Sequence, residues 1–472
     1  MIIKPDFTKI LPPSSLPGPV LRYLVPVPAL AALLLLAGFS GALRASGPRA
    51  EVLFQADSFV PQEGGSVEGW QLWSQRQQTR PAFFAAELPS LGGPGSLAIS
   101  GSSNSSAHGC WLKPVVNIVP GNHYHFEASF HTLSVPYPRQ QVIARLDWRR
   151  QDGGRAGQPE YVPEDRTTGF WQTVSGTFRA PDKAASVNIE LFLSYCPQGT
   201  VWWDAVSLSR VAEPPPRMVR VATVNCYPRN KATPLEGVAE FCRLVDKAGN
   251  QGCDIICLGE GLNLVGVSGS EYPDIAEPVP GPTTAMLSEL AKKHGMYIVA
   301  SLGELDNQAI YNSAVLIDRQ GRVAGKYRKV QLPREEVEAG VTPGNSLPVF
   351  DTDFGRIGMM ICWDVQYSGP AQALAVQGAE VIFLPIWGGN PVLMKARAIE
   401  NQVYLVSCAY SDVPSAIYDP NGEIIAEARD RPSLAFADID LNRQFINEWL
   451  GNMRHRFLRE RRADIRVPAL ER

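Results

Sequence analysis

Three residues have side chains suited to acyl chemistry, and each closes an apolar run. Cys362 ends Gly358-Met359-Met360-Ile361 and is followed by Trp363-Asp364. Glu260 follows Cys257-Leu258-Gly259 and precedes Gly261. Lys329 lies within Lys326-Tyr327-Arg328-Lys329-Val330-Gln331-Leu332-Pro333. Taken singly, each has a plain reading: a buried thiol, a surface acid, a solvated base. Together they supply a nucleophile, a base and a fixed positive charge. An amide carbonyl is a poor electrophile, so attack on it needs a thiolate and a stabilised oxyanion. A free cysteine, with a pKa of about 8.5, is mostly thiol at neutral pH. Glu260 is expected to take the thiol proton and return it to the departing nitrogen. Lys329 is expected to face the oxyanion, joined by the backbone N–H of Trp363. A thioester then forms, and Glu260 activates water against it. The scheme needs no metal and no organic cofactor. It needs no histidine, and none of the six in the chain sits in these segments.

The elements around these residues alternate. Residues 219–225 read as an apolar strand, and 235–248 as a helix with Val238, Phe241, Cys242 and Val245 on one face. A buried strand is expected at 254–258, a helix at 284–294 and a strand at 297–302. Residues 313–318 and 323–330 read as a hairpin around Arg319-Gln320-Gly321. Strands follow at 356–362 and 381–385, helices at 370–377 and 392–400. Residues 404–409 and 416–426 complete the series, the latter turning at Pro420-Asn421-Gly422. This alternation predicts α/β layers, with each reactive residue at a strand end.

The three segments resemble the Glu–Lys–Cys signature of the nitrilase superfamily of carbon–nitrogen hydrolases, from about residue 217 to 447. Supporting pieces are Pro280-Gly281-Pro282, Tyr311-Asn312-Ser313-Ala314, Thr342-Pro343-Gly344, Gln377-Gly378-Ala379-Glu380 and Ala396-Arg397-Ala398-Ile399-Glu400-Asn401. The resemblance implies an α-β-β-α sandwich that assembles as a homodimer or higher oligomer. It also implies a second glutamate in the loop after the lysine. Glu335, Glu336 and Glu338 compete for that place; Glu336 is preferred and Glu338 comes second. Cys362-Trp363-Asp364 looks like the amidase and N-carbamoyl-amine hydrolase branches, whose substrates are small amides or carbamoyl amines. Two departures, Tyr367-Ser368-Gly369-Pro370 after the nucleophile and Gln331 where relatives often carry His, bear on pocket shape. Nitrile hydrolysis and acyl transfer on the same fold are the competing activities. A carbohydrate-binding protein with an inactive hydrolase-like domain is a third reading, opposed by the intact Glu260, Lys329 and Cys362.

A chain of 472 residues exceeds one compact core. Residues 1–50 read as a signal or anchor segment. Lys4, Lys9 and Arg22 precede an apolar run at 23–43, which predicts export or membrane attachment, with an extracytoplasmic catalytic domain. Residues 51–211 have all-β texture, with short alternating runs between Gly/Pro/Asp turns. Gly121-Asn122-His123-Tyr124-His125-Phe126 and Val201-Trp202-Trp203-Asp204-Ala205-Val206 resemble galactose-binding-like jelly rolls, which implies a carbohydrate partner. Trp70, Trp73 and Trp111 could stack on a sugar, though core packing is the commoner role. Pro214-Pro215-Pro216 marks a stiff linker at 212–217. The hydrolase-like domain is expected at 218–447 and a basic helix or tail at 448–472, with Arg454 to Arg462 reading as a solvated face. The net charge of −3 and the lack of basic–aromatic runs point away from nucleic acid. Cys253 and Cys257 lack a second pair at zinc spacing. Cys110 and Cys196 could pair in an exported protein.

Overall fold

The computed structural model describes residues 50–62, 66–410 and 412–462. The apolar run at 23–43 lies outside them. Among the described residues, no helix is long and apolar enough to cross a membrane.

The first half forms two antiparallel sheets. One has seven strands and runs Ala82–Ala86, Ser96–Ser100, Thr200–Val211, His123–Leu133, Trp171–Arg179, Glu164–Thr168, with Glu51–Ala56 also pairing Thr200–Val211. The other has five: Gln71–Trp73, His108–Val116, Ser186–Ser194, Val142–Arg149 and Glu160–Tyr161. Alternate residues of these strands point inward. Phe126, Ala128 and Phe130 of one sheet and Leu146, Trp148 and Leu191 of the other share one core. Trp70 and Trp111 belong to that core, at 8% and 0% exposure, while Trp73 is 38% exposed. Cys110 and Cys196 are both free thiols.

After Val211 the texture changes, and the next strand is Met218–Asn225. It sits in a six-stranded sheet ordered Val323–Arg328, Ala309–Ile317, Tyr297–Asp306, Ile255–Cys257, Met218–Asn225, Ser433–Asp440. A second six-stranded sheet runs Val349–Asp351, Arg356–Met359, Val381–Pro385, Tyr404–Cys408, Ser415–Tyr418, Ile424–Ala428. The strand Val381–Pro385 explains the layering. Its odd residues Val381 and Phe383 share a core with Val221, Ile256 and Val299 of the first sheet. Its even residues Ile382 and Leu384 pack against Leu374, Met394 and Ala398 of the helices Ser368–Val376 and Pro391–Asn401. Burial on both faces is why the strand reads as a continuous apolar run. On the other side, the helices Pro234–Asn250 and Pro282–His294 lay Phe241, Val245, Leu287 and Ala291 on the first sheet. The result is a helix–sheet–sheet–helix stack.

Three features differ from the sequence reading. The strand expected at 356–362 stops at Met359, and a 3-10 turn takes over at Cys362–Gln366. The strand Ser433–Asp440 was not foreseen; it pairs antiparallel with Met218–Asn225, from Met218 opposite Asp440 to Asn225 opposite Ser433. It is a half-exposed edge strand, so its apolar signal is thin.

The third correction concerns the basic run near the end of the chain. It is not a solvated face. The helix Met453–Glu460 buries Arg459 at 4% exposure. Arg459 Nη1 donates to Arg139 O at 3.0 Å and Nη2 to Val162 O at 2.7 Å, both in the β domain. Tyr161 Oη donates to Glu460 Oε1 at 2.9 Å, and Arg139 Nη1 to Val376 O at 2.9 Å. Beside Arg459, His455 is held neutral: burial first, then Arg454 and Arg459, push its pKa down to about 3. Arg459→Ala is expected to strand the two carbonyls and cost about 1–3 kcal/mol. The check is thermal unfolding of the full chain. An unchanged midpoint would mean that this helix does not hold the domains together.

Candidate active site

Glu260 is delivered by the strand Ile255–Cys257 and sits just past its end, 2% exposed. Gly259 must be glycine there, since a Cβ would lie 2.1 Å from Tyr410 Oη. That hydroxyl donates to Glu260 O at 2.8 Å and fixes the backbone. Both oxygens of the Glu260 carboxylate accept hydrogen bonds. Oε2 accepts the Trp387 N–H at 2.8 Å; Oε1 accepts Lys329 Nζ at 2.9 Å and Asn312 Nδ2 at 2.8 Å.

Lys329 follows the strand Val323–Arg328 and is 1% exposed. Its main chain is pinned on both sides, with its N–H donating to Asn312 O at 2.9 Å and its carbonyl accepting the Gly344 N–H at 2.8 Å. Nζ makes a second bond, 2.7 Å to Glu336 Oε1. Of the three acids after the lysine, Glu336 is the one that turns inward. It lies on a short helix, Arg334–Glu338, where the sequence suggested a loop. Glu335 and Glu338 stay out in solvent beside Arg334. Asn312 Nδ2 also reaches Glu336 Oε1, at 3.0 Å. Two donors, Lys329 Nζ and Asn312 Nδ2, thus bridge the same two carboxylate oxygens and close a four-membered ring of hydrogen bonds. Ser301 Oγ donates to Asn312 Oδ1 at 2.9 Å, which fixes the amide the right way round.

Cys362 opens the 3-10 turn with φ +42°, a left-handed conformation that costs a non-glycine residue energy. Asp364 holds the turn in place. Its fully buried carboxylate accepts the Ile361 N–H at 2.8 Å, the Gln331 N–H at 3.0 Å and the Tyr327 hydroxyl at 2.6 Å. Those donors flank Cys362 on one side and Lys329 on the other, so a single carboxylate sets their spacing. Burial raises the Asp364 pKa to about 6, against the pull of its donors. Trp363, next to Cys362, is 38% exposed.

The electrostatics follow from burial. Desolvation first, and then the Glu260 charge, push the Cys362 thiol well above the usual range; Lys329 and the Trp387 N–H only partly oppose this. Cys362 is therefore held in the thiol form. Burial alone would lower the Lys329 pKa, but the Glu260 and Glu336 carboxylates more than reverse it, so the ammonium stays charged. Burial raises the Glu336 pKa, with Lys329 opposing and Glu260 adding to it.

Glu260, Lys329, Glu336 and Cys362, read from the sequence, are thus brought together. Asn312, Asp364 and the Trp387 N–H were not assigned to the site. Asn312 carried a usable signal: an amide inside the apolar strand Ala309–Ile317 needs buried partners.

The carbon–nitrogen hydrolase family model matches residues 220–444. Omega-amidase NIT2 of Bos taurus is 32% identical over 234 residues, 44% of this chain and 84% of the relative. Omega-amidase NIT2 of Homo sapiens is 30% identical over 258 residues, 49% of this chain and 91% of the relative. The crystal structure of Saccharomyces cerevisiae Nit3, of the nitrilase superfamily, aligns with 47% of this chain and 90% of its own, at TM-score 0.44 and 24% identity.

Proposed function

The chain belongs to the carbon–nitrogen hydrolase family and is a hydrolase of the amidase type; from that premise we propose that it cleaves small carboxamides or N-carbamoyl amines through a thioester on Cys362. The observation that carries this reading is the ring of Glu260, Lys329, Glu336 and Asn312, closed by bonds of 2.7–3.0 Å. An ammonium has three N–H donors. Two of Lys329's go to carboxylates in the ring, so one is left for an oxyanion.

The steps follow from the charges. Cys362 rests as a thiol, so its proton passes to Glu260 as sulfur bonds to the carbonyl carbon. The carbonyl oxygen becomes an oxyanion facing Lys329 and the Trp363 N–H. Collapse of this intermediate breaks the C–N bond, and Glu260 returns the proton to the leaving nitrogen. Water then attacks the thioester, giving its proton to Glu260. The C–S bond breaks, Glu260 passes that proton to the departing Cys362 sulfur, and the acid product leaves the regenerated thiol. Glu336 keeps Lys329 charged and in line.

The test is ammonia release from a panel of small amides, N-carbamoyl amines and nitriles, with the intact mass of the protein read during turnover. The expected result is turnover of an amide or carbamoyl amine, with a transient acyl mass on Cys362. Turnover of nitriles alone would replace the reading with a nitrilase one. Transfer of the acyl group to an added amine in preference to water would favour acyl transfer.

Three wider readings rest on the sequence. We propose export or membrane attachment through residues 23–43, supported by the basic residues before that run. The β domain is read as a galactose-binding-like jelly roll, supported by its two sheets around one core. Assembly as a homodimer or higher oligomer is read from the family resemblance.

A further inference from the structure

One buried phenol beside this site takes no part in the chemistry above. Tyr272 opens the short helix Tyr272–Ile275 and is 6% exposed. Its ring is clamped. It packs in a small cluster with Ile275 and Val341, against Leu264, Ile310 and Leu332. A Cβ on Gly303 would lie 2.9 Å from its Cδ1. The hydroxyl is the part left over. It lies next to the catalytic acid, for a Cβ on Gly261, the residue after Glu260, would be 3.2 Å from Tyr272 Oη. Tyr272 Oη makes no side-chain hydrogen bond among the described residues, whereas the nearby Tyr410 and Tyr327 hydroxyls each have a partner. Burial first, and then the Glu260 and Glu336 charges, hold the Tyr272 pKa high, so it stays a neutral O–H.

We propose that the Tyr272 hydroxyl is a substrate contact of this site, accepting an N–H of the bound carboxamide. The inference rests on the amidase reading. A substrate whose carbonyl oxygen faces Lys329 turns its nitrogen the other way, and that nitrogen needs an acceptor. Both Glu260 oxygens and Glu336 Oε1 are already engaged, which leaves Glu336 Oε2 and Tyr272 Oη as the two acceptors without a partner. Tyr272 Oη has free lone pairs beside them. Once ammonia has left, the same oxygen holds the attacking water for Glu260.

The test uses the full chain and two thiol reagents. Iodoacetamide carries a primary carboxamide; methyl methanethiosulfonate carries none. Tyr272→Phe removes one oxygen and keeps the packed ring. It is expected to slow alkylation of Cys362 by iodoacetamide by about fivefold to tenfold. The rate with methyl methanethiosulfonate and the unfolding midpoint should stay at wild-type values. Equal slowing with both reagents would mean that Tyr272 acts on the thiol, and would overturn the proposal. So would no slowing with either. The amidase reading fails separately, if the wild-type chain releases ammonia from no carboxamide or carbamoyl amine.

Discussion

Cys362→Ala is expected to reduce amide hydrolysis to background, a loss of at least about 10⁴-fold, because no other group can form the acyl bond. Substrate should still bind, since the Glu260, Lys329, Glu336 and Asn312 ring does not include the sulfur. Cys362→Ser should be nearly as inactive. Burial and the Glu260 charge already hold the thiol well above its ordinary range. A hydroxyl starts far higher, beyond what a carboxylate can deprotonate. The measurement is kcat on a substrate found by ammonia release, together with the intact mass during turnover. Wild-type turnover in Cys362→Ala, or an acyl mass on another residue, would remove Cys362 from the mechanism.

Lys329→Met should fail in a different way. Deleting one oxyanion donor commonly costs about 10²–10³ in rate. The loss here is expected to exceed that, because the ring also collapses. Glu260 and Glu336 would be left buried with Asn312 as their shared donor, and one of them would take up a proton. Removing one partner from a buried ion pair costs about 3–5 kcal/mol of stability. Lys329→Met should therefore unfold at lower temperature as well as turn over more slowly. Adding Glu336→Gln removes the surplus negative charge. The double variant should regain stability without regaining activity. If Lys329→Met is as stable as wild type, the two carboxylates do not depend on the ammonium for their burial.

The grouping of the candidate site was legible in the sequence because Cys362 and Glu260 each follow an uninterrupted apolar run, as a strand buried on both faces gives. Lys329 was legible with them as the fixed charge that such a pair needs. The same physics made the central strands plain and the edge strand Ser433–Asp440 obscure. Its residues are mostly half-buried, so the alternation is faint. Glu336 could not be separated from Glu335 and Glu338 by type. Only the short helix Arg334–Glu338 decides which acid turns inward. Asp364 was seen only as part of the Cys-Trp-Asp triplet. Its three donors come from a segment about 33 residues away and from its own turn, a convergence that spacing does not reveal. The basic run before Arg462 misled for a related reason. A guanidinium that caps carbonyls in another domain has the same letter as one in water.

The clasp made by Arg459 also sets a timetable for synthesis. Arg139 and Arg459 are 320 positions apart in the chain, and Val162 and Arg459 are 297 apart. At roughly 5–20 residues per second, the β domain, complete at Val211, leaves the ribosome about 12 to 50 s before the side chain that caps those carbonyls exists. The β domain must therefore fold and wait with that surface bare. The hydrolase sheet waits too, because Met218–Asn225 is made early and its partner Ser433–Asp440 comes more than 200 residues later. Both closures fall to the same late stretch of polypeptide. A nascent chain interrupted before it would carry the Cys362–Gln366 turn, an open sheet edge and an unclasped domain, which is the form a protease or chaperone would meet.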